Sequence, residues 1–261
     1  MTTRKSRLDV LLVARGYAES REQAQALILA GDVEVVGYPS TKAGMQVPNE
    51  ADIRVATPDH PWVSRGGIKL AHALDVFHVD VAGRLGLDIG ASTGGFTDVL
   101  LQRGARHVIA IDVGHGQLHW RLRSDARVTL YEGINARALD SRDLPELAEG
   151  AGIVTIDVSF ISLKHILKVV PPLLTPDGDA VALVKPQFEA GRGDVGAGGI
   201  VRDPAIHTRV IEHVTAAAAE VGLTRVGLIE SPITGAEGNK EFLLHLKAPD
   251  AQRPLRSPLV G

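Results

Sequence analysis

The sequence predicts an α/β fold with a seven-stranded, mostly parallel sheet, preceded by a small α+β unit. From residue 64 to residue 247, seven short apolar segments alternate with helix-compatible stretches, the pattern of a sheet built from βαβ units. The first 59 residues have a different pattern, with two short amphipathic runs followed by alternating strands. The length of 261 residues fits one medium domain with a small appendage. We therefore expect domains at 1–59 and 64–247, a linker at 60–63 and a poorly ordered tail at 248–261.

Composition excludes several classes of protein. Hydrophobic residues make up 44% and charged residues 23%, the balance of a folded domain. The chain has no cysteine, which excludes disulfide frameworks, thiolate catalysis and cysteine-bound zinc. It has no apolar stretch of about 18 to 20 residues and no secretion signal, so we expect a cytoplasmic protein without a membrane partner.

The first unit carries clear helix signals. Leu8, Leu11 and Leu12 fall at the spacing of one helical face, and Gly16 can end that helix. Ser20 opens an S-x-x-Q capping box before a second apolar run, which a glycine at position 31 stops. Alternating strands are expected around 33–35 and 53–55.

Local charge also distinguishes this unit. The net charge of the chain is −3, but residues 1–21 hold five basic and two acidic side chains. The segment RLDVLLVARGYAESREQAQALILAGDVEVVG resembles the small RNA-binding domain named after a small-subunit ribosomal protein. That resemblance implies contacts between RNA phosphates and its basic side chains, and the predicted RNA-binding residues are Arg4, Lys5, Arg7, Arg21 and, beside the linker, Arg65. Asp32 departs from the pattern, because a basic residue is usual after that glycine.

In the second unit the strand tips should form the site. The predicted strands are 86–92, 107–113, 128–133, 152–158, 179–185, 224–231 and 241–247. Ligands of open parallel sheets bind outside the carboxyl ends of the strands. Side chains that follow each strand are therefore the candidate functional residues.

The most specific local motif is LGLDIGASTGGFTDVLL, residues 85–101. An apolar strand runs into a turn of small residues and then into a helix from Phe96. Small residues let the backbone approach a ligand, and the helix N-terminus offers free amide donors. Asp112 lies 22 residues after Gly90, at the tip of the next strand, where a carboxylate can accept both hydroxyl hydrogens of a ribose.

Two cofactor classes share this arrangement, and the details favour S-adenosylmethionine (SAM) over a dinucleotide. Ser92 stands where the G-x-G-x-x-G fingerprint has its middle glycine. Asp88 would repel a pyrophosphate but suits a cationic sulfonium. Asn135 could address an adenine edge or simply cap a helix. The predicted cofactor-binding residues are Asp88, Gly90, Ser92, Thr93, Gly94, Gly95, Phe96, Asp112, Val113, Asn135 and Asp157.

Four further residues form the predicted catalytic set. Asp157 and Lys185 end two apolar strands, Lys69 lies in a helix that enters the domain, and Glu241 begins the last strand. Their K-D-K-E order around a SAM motif resembles the tetrad of FtsJ-like ribose 2′-O-methyltransferases. The resemblance implies that Lys185 lies nearest the ribose hydroxyl, as a base if neutral or as a stabiliser of the oxyanion if charged.

The whole chain resembles the TlyA family, also called hemolysin A-like. The matching segments are WVSRGGIKL, LDIGASTGGFTDVLLQRGA, DVGHGQLHWRLR, DVSFISL, LVKPQFEAGRGDVGAGGIVRDP and SPITGAEGNKEF. The resemblance implies a Rossmann-like class I SAM-dependent methyltransferase that acts on cytidine riboses of ribosomal RNA within ribosomal subunits. It also implies sensitivity to capreomycin-type antibiotics. His115 departs from the tyrosine expected there.

Several alternatives stay open at the level of sequence. Trp62 and Val63 could link RNA docking to the cofactor site or simply pack between domains, and residues 191–199 could be a lid or an ordinary loop. A catalytically silent RNA-binding factor is one rival function, and a membrane-active hemolysin is a weaker one. His115 and His119 lack a third partner, so no metal site is expected.

Overall fold

The computed structural model describes residues 4–18, 20–55, 60–191, 193–235 and 238–248, except for the side chains of Ala30 and Ser141. The prediction of a poorly ordered tail falls almost entirely on residues 249–261, which lie outside the described residues.

The N-terminal unit contains two short helices and two small sheets. Its elements are β1 (Lys5–Arg7), α1 (Leu8–Ala14), α2 (Arg21–Ala30), β2 (Val33–Val35), β3 (Gln46–Pro48) and β4 (Ile53–Val55). Strand β1 pairs with β3 and β2 pairs with β4, both antiparallel. The first pair was not predicted.

The helix signals of this unit are confirmed. The Ser20 hydroxyl accepts a hydrogen bond from the Gln23 amide at 3.2 Å, which caps α2. Gly31 ends α2 in the left-handed region at φ 85°, where a side chain would be strained. Leu8 and Leu12 are fully buried and form a core with strands β2 to β4.

The second unit alternates strands and helices as predicted. Its elements are α3 (Gly66–Phe77), β5 (Leu85–Ile89), α4 (Gly95–Gln102), β6 (His107–Asp112), α5 (Trp120–Arg123), β7 (Val128–Glu132), β8 (Ala151–Ile156), α6 (Leu163–Leu167), β9 (Leu174–Val184), α7 (Pro186–Glu189), α8 (Pro204–Glu220), β10 (Thr224–Glu230) and β11 (Phe242–Lys247).

These strands form one seven-stranded sheet in the order β10-β11-β9-β8-β5-β6-β7. The five strands from β9 to β7 run parallel, and β11 pairs antiparallel with both β9 and β10. The chain moves outward from β5 to β7 and then returns to β8 on the other side of β5. The carboxyl ends of β5 and β8 therefore flank the point where the strand order reverses, which is where such sheets bind ligands.

Helices cover both faces of the sheet. Helices α3 and α4 pack together on one face over a cluster that includes Leu70, Leu74 and Val99. Helices α6 and α8 cover the other face, where Ile166 and Val210 belong to a second cluster. Because both faces of the central strands β5, β6 and β8 are buried, these strands are nearly continuous apolar runs, and this is why the sequence showed them clearly.

The strand boundaries needed correction at both ends. Strands predicted to reach residues 92, 113, 158, 185 and 231 stop at Ile89, Asp112, Ile156, Val184 and Glu230, because the polar tips turn away from the sheet. Glu241 directly precedes β11 instead of beginning it. Strand β9 starts at Leu174, five residues before the prediction, since Leu174 pairs with Ala151 across an irregular register.

Candidate active site

The turn after β5 is held tightly against its neighbours. The amides of Gly90 and Ala91 both donate to the Ile111 carbonyl, at 2.8 and 3.0 Å. Gly90 has φ 85°, and a Cβ there would clash with the backbone carbonyl of Asp157. Ser92 also has a positive φ of 49°. Only a small-residue turn fits between the ends of β5, β6 and β8.

This turn lines a cavity of about 520 Å³, within the usual range for small-molecule sites. Six predicted cofactor residues border the cavity beside the start of α3: Gly90, Ser92, Thr93, Gly95, Phe96 and Asp157. Gly94 faces the other way, because a Cβ on it would clash with Leu118 and Leu122. Gly94 therefore lets the turn pack closely against Leu118 and Leu122, and its contact with the cofactor stays a prediction.

Asp88 needs the clearest correction. Its side chain is fully buried beneath the turn and accepts hydrogen bonds from the hydroxyls of Thr97 at 2.6 Å and Thr155 at 2.8 Å. Burial raises the pKa of this carboxyl to about 6, and Asp157 adds to the rise, while the two threonines oppose it. Asp88 ties the turn, α4 and β8 together and does not border the cavity. The prediction that Asp88 faces a bound sulfonium was therefore wrong, because the side chain lies beneath the turn.

Asp112 organises the second half of the site. One oxygen accepts the Ser92 amide and the other accepts the Gly114 amide, each at 2.7 Å. This carboxylate fixes the turns after β5 and β6 and still has lone pairs directed to solvent. Val113 is 70% exposed beside it. Asn135 accepts the Arg137 amide at 3.1 Å and so caps a short turn, the simpler of its two predicted roles.

The four predicted catalytic residues form two ion pairs. Lys185 Nζ lies 2.6 Å from Asp157 Oδ1 and donates to the Ser159 hydroxyl at 2.9 Å. Lys69 Nζ lies 2.5 Å from Glu241 Oε2, and both side chains are almost fully buried. Lys69 and Asp157 both border the cavity. The structure thus brings residues from α3, β8, β9 and the start of β11 to one edge of the sheet.

Two features of the site escaped the sequence reasoning. The loop before β11 contributes Ile233, Thr234 and Gly235 to the cavity, and a Cβ on Gly235 would clash with the carboxylate of Glu241. Phe160 is 91% exposed with φ 64°, and its ring lies 5.0 Å from that of Phe188. A positive φ at an aromatic residue beside strand-end polar groups was a signal available only from coordinates.

A fully buried acidic residue organises the predicted RNA-binding arginines. Arg7 contacts both oxygens of Asp9 at 3.0 and 2.8 Å, and Arg21 approaches the same carboxylate at 3.1 Å. The hydrogen bond from Arg7 is the main reason why the pKa of Asp9 falls far below its usual range. Arg4 and Lys5 are exposed at the start of the domain. Two guanidinium groups are thereby fixed in place while half of each remains exposed.

The junction between the units also contains charged groups. Arg65 borders the cavity and lies close to Gly31, which is the end of α2. The unexpected acidic residue Asp32 is buried, and burial raises its pKa although His60 and Arg65 lower it. Arg65 therefore joins the N-terminal unit to the edge of the active site.

The connector is anchored on the second unit. The Val63 amide donates to the buried Asp98 carboxylate at 2.8 Å, and the Trp62 ring lies over Gly67, where no Cβ would fit. These contacts show packing between the connector and helices α3 and α4. Coupling between RNA docking and the cofactor site stays a prediction.

Two further observations concern metal binding and membrane insertion. Among the described residues, no group of three His, Asp or Glu side chains is arranged to hold a metal ion. None of the helices in the described ranges is both long enough and apolar enough to cross a membrane.

Comparison with known families agrees with this geometry. Residues 62–248 match the FtsJ-like methyltransferase family, and residues 6–53 match the S4 domain. The chain is 48% identical to a 16S/23S rRNA (cytidine-2′-O)-methyltransferase, TlyA, of Mycobacterium tuberculosis, over 94% of this chain and 90% of that protein. It is 41% identical to Hemolysin A of Brachyspira hyodysenteriae, over 92% of this chain and 98% of that protein.

A solved structure shows the same two-part architecture. A protein from Streptococcus thermophilus with a hemolysin name superposes with a TM-score of 0.73 at 46% identity, covering 95% of this chain and 90% of that one. The resemblance stated from sequence motifs is confirmed. The chain belongs to the TlyA family of FtsJ-like methyltransferases and carries an S4 domain at its N-terminal end.

Proposed function

We propose that this protein transfers a methyl group from SAM to the 2′-hydroxyl of a cytidine in ribosomal RNA within a ribosomal subunit. The observation that carries the proposal is the Lys185–Asp157 ion pair at the switch point of the sheet, next to a glycine turn and a cavity of about 520 Å³. The rRNA ribose specificity in the name of the M. tuberculosis relative supports the same chemistry.

The residues present fit SAM. The turn from Gly90 to Gly95 brings bare backbone to the cavity wall, and Asp112 has acceptor capacity for ribose hydroxyls. Asp157 Oδ1 is buried and has no hydrogen-bond partner among the described residues beyond its ion pair. A half-buried carboxylate at the cavity wall suits a cationic ligand.

The protein has to align the hydroxyl and manage its charge. When bound, SAM supplies a methyl group already activated by a sulfonium, and the O2′–carbon bond forms as the carbon–sulfur bond breaks. An ammonium in an ion pair has no lone pair with which to accept a proton. We therefore assign Lys185 the stabilisation of negative charge that develops on O2′, with the released proton passing to solvent. Asp157 and Ser159 orient the Lys185 ammonium.

The second ion pair has a supporting role. Lys69 and Glu241 are buried, and Lys69 borders the same cavity. The charge of Lys69 balances the buried carboxylate of Glu241. The loop at Gly235 rests directly against Glu241, so the pair also fixes the position of this cavity wall.

An aromatic platform and a basic domain would place the substrate. Phe160 is the most exposed large apolar side chain of the described residues and follows Asp157 by three positions. An unstacked base can pack on such a ring while its ribose reaches Lys185. The S4 domain would hold flanking RNA through the Arg7 and Arg21 guanidinium groups fixed by Asp9.

A direct assay tests the proposal. Isolated small and large ribosomal subunits from cells that lack the activity are incubated with methyl-labelled SAM and with wild-type or Lys185→Ala protein. Lys240→Ala is the matched control, because Lys240 is an exposed lysine paired with Glu230 outside the site. We expect ribose methylation with wild type and the control variant, and its loss with Lys185→Ala.

The result also separates the rival function. SAM binding without label in either subunit would refute the methyl-transfer proposal and leave a silent RNA-binding factor. If the activity is found, we expect cells that lack it to be less sensitive to capreomycin-type antibiotics.

A further inference from the structure

A second cavity, of about 700 Å³, lies between the S4 domain and the methyltransferase domain. Helix α2 supplies one wall through Ala26 and Leu27, and the segment 116–123 supplies the other through Leu118 and Trp120. Thr93 borders both this interdomain cleft and the active-site cavity. The cleft is too small for a double helix but large enough for a single planar group.

Both tryptophans of the chain border this cleft. Trp62 is held in place by Gly67, whereas Trp120 leaves 62% of its surface exposed. The neighbouring His119 ring lies 5.8 Å away at a tilt of 31°. Burial lowers the pKa of His119, and Arg121 lowers it further, so the ring is neutral near pH 7. A large exposed indole beside an apolar cleft is a surface on which a planar ligand can stack.

The charges around the cleft favour phosphate outside and an uncharged group inside. Arg121 borders the cleft and forms no ion pair with a carboxylate of the described residues. Arg21 begins α2 between Ser20 and Glu22, which border the cleft, but its own guanidinium is directed to Asp9. The carboxylate of Glu22 has a pKa below its usual value because of a backbone hydrogen bond at its own position, with Ser20 adding to the effect, and so it stays charged. It would repel a phosphate placed within.

We propose that the interdomain cleft binds an unstacked base of the RNA, with an adjoining phosphate on Arg121. The inference rests on the proposed function, since it needs an RNA substrate, but it concerns a nucleotide other than the one that is methylated. The methylated nucleotide has its ribose at Lys185, whereas the base proposed for the cleft lies between α2 and Trp120. Gly90, Gly95 and Asp157 border the other cavity, so we assign SAM to that cavity and not to this cleft.

The cleft is also connected to the active site by a backbone contact. The His119 amide donates to the Thr93 carbonyl at 3.2 Å, next to the turn that borders the cofactor cavity. A base stacked on Trp120 would immobilise the segment that makes this hydrogen bond. RNA binding and order in the cofactor turn would then support each other.

Intrinsic fluorescence tests the cleft directly, because Trp62 and Trp120 are the only two indoles. The probes are a short single-stranded oligoribonucleotide and the same sequence annealed to its complement. We expect saturable quenching of the wild type by the single strand and little quenching by the duplex. Trp120→Ala should weaken single-strand affinity about tenfold, as expected for the loss of one base-stacking contact. Trp120→Phe keeps an aromatic ring and should bind within about threefold of wild type.

A variant that removes the charge of Arg121 tests the phosphate contact independently. Arg121→Ala should lower the slope of log affinity against log salt by about one, since one phosphate contact is lost. Far-ultraviolet circular dichroism establishes that each variant is folded, which we expect because both replaced side chains are largely exposed.

The outcomes separate this inference from the proposed function. Equal quenching by duplex or unchanged affinity in Trp120→Ala would each overturn the cleft assignment, whatever the methylation assay shows. Quenching that depends on Trp120 and on a single strand supports the cleft, even if wild type transfers no methyl group. A wild-type protein that transfers no methyl group would refute only the proposed function.

Discussion

Asp88 carries a measurable energetic cost, and replacing it with asparagine should remove that cost. The pKa of this fully buried carboxyl rises from 3.8 to about 6, mainly through burial. The native state then binds the proton more tightly than the unfolded chain. The contribution of Asp88 to the free energy of unfolding therefore falls as pH rises through this interval, and stays low above it. This difference in pKa between the folded and unfolded states lowers the free energy of unfolding by about 3 kcal/mol at neutral pH.

Asp88→Asn keeps the shape of the side chain and its capacity to bond Thr97 and Thr155. We expect the stability of the variant relative to wild type to rise by up to about 3 kcal/mol between about pH 4 and pH 7. Urea denaturation of both proteins across this range measures the difference. A difference that does not change with pH, or that falls as pH rises, would refute the reasoning.

Asp179 offers a matched control of opposite sign. Burial alone would raise its pKa, but hydrogen bonds from His245, Lys247 and Arg84 outweigh burial and hold the pKa well below its usual range. Its stabilising contribution is therefore present above the ordinary aspartate pKa of about 4 and is lost as pH falls below it. Asp179→Asn should accordingly cost most at neutral pH and least in acid.

Three further expectations concern the site. Glu241→Gln leaves the Lys69 ammonium buried without its partner and should lower the free energy of unfolding by about 3–5 kcal/mol, measured by thermal denaturation. A Lys69→Met, Glu241→Leu double variant, which removes both charges, should recover most of this loss. Gly90→Ala should abolish SAM binding in calorimetry, because the added methyl clashes with backbone, whereas Gly16→Ala has a positive φ of 74° in open space and should cost only about 1–2 kcal/mol of stability. Phe160→Ala should leave the melting temperature unchanged while lowering methyl transfer to rRNA at least tenfold, and an unchanged rate would remove this ring from substrate placement.

Much of the fold could be predicted because its signals are local. The buried parallel strands are nearly continuous apolar runs, and the start and end of α2 follow from Ser20 and Gly31. The tips of the strands were less predictable. Their ends depend on positive φ angles at Gly90 and Ser92 and on contacts with neighbouring strands, which the amino-acid pattern does not encode separately.

The candidate site divides in the same way. The sequence by itself determined the glycine turn, the order K-D-K-E and the basic N-terminal unit, because each is a pattern of residue types along the chain. Only the tertiary structure decided that Lys185 pairs with Asp157 and Lys69 with Glu241, since these partners are far apart in sequence and meet at one sheet edge. It also moved Asp88 from the cofactor to the core and brought α2 beside Trp120, because side-chain direction and domain contact follow from packing in three dimensions.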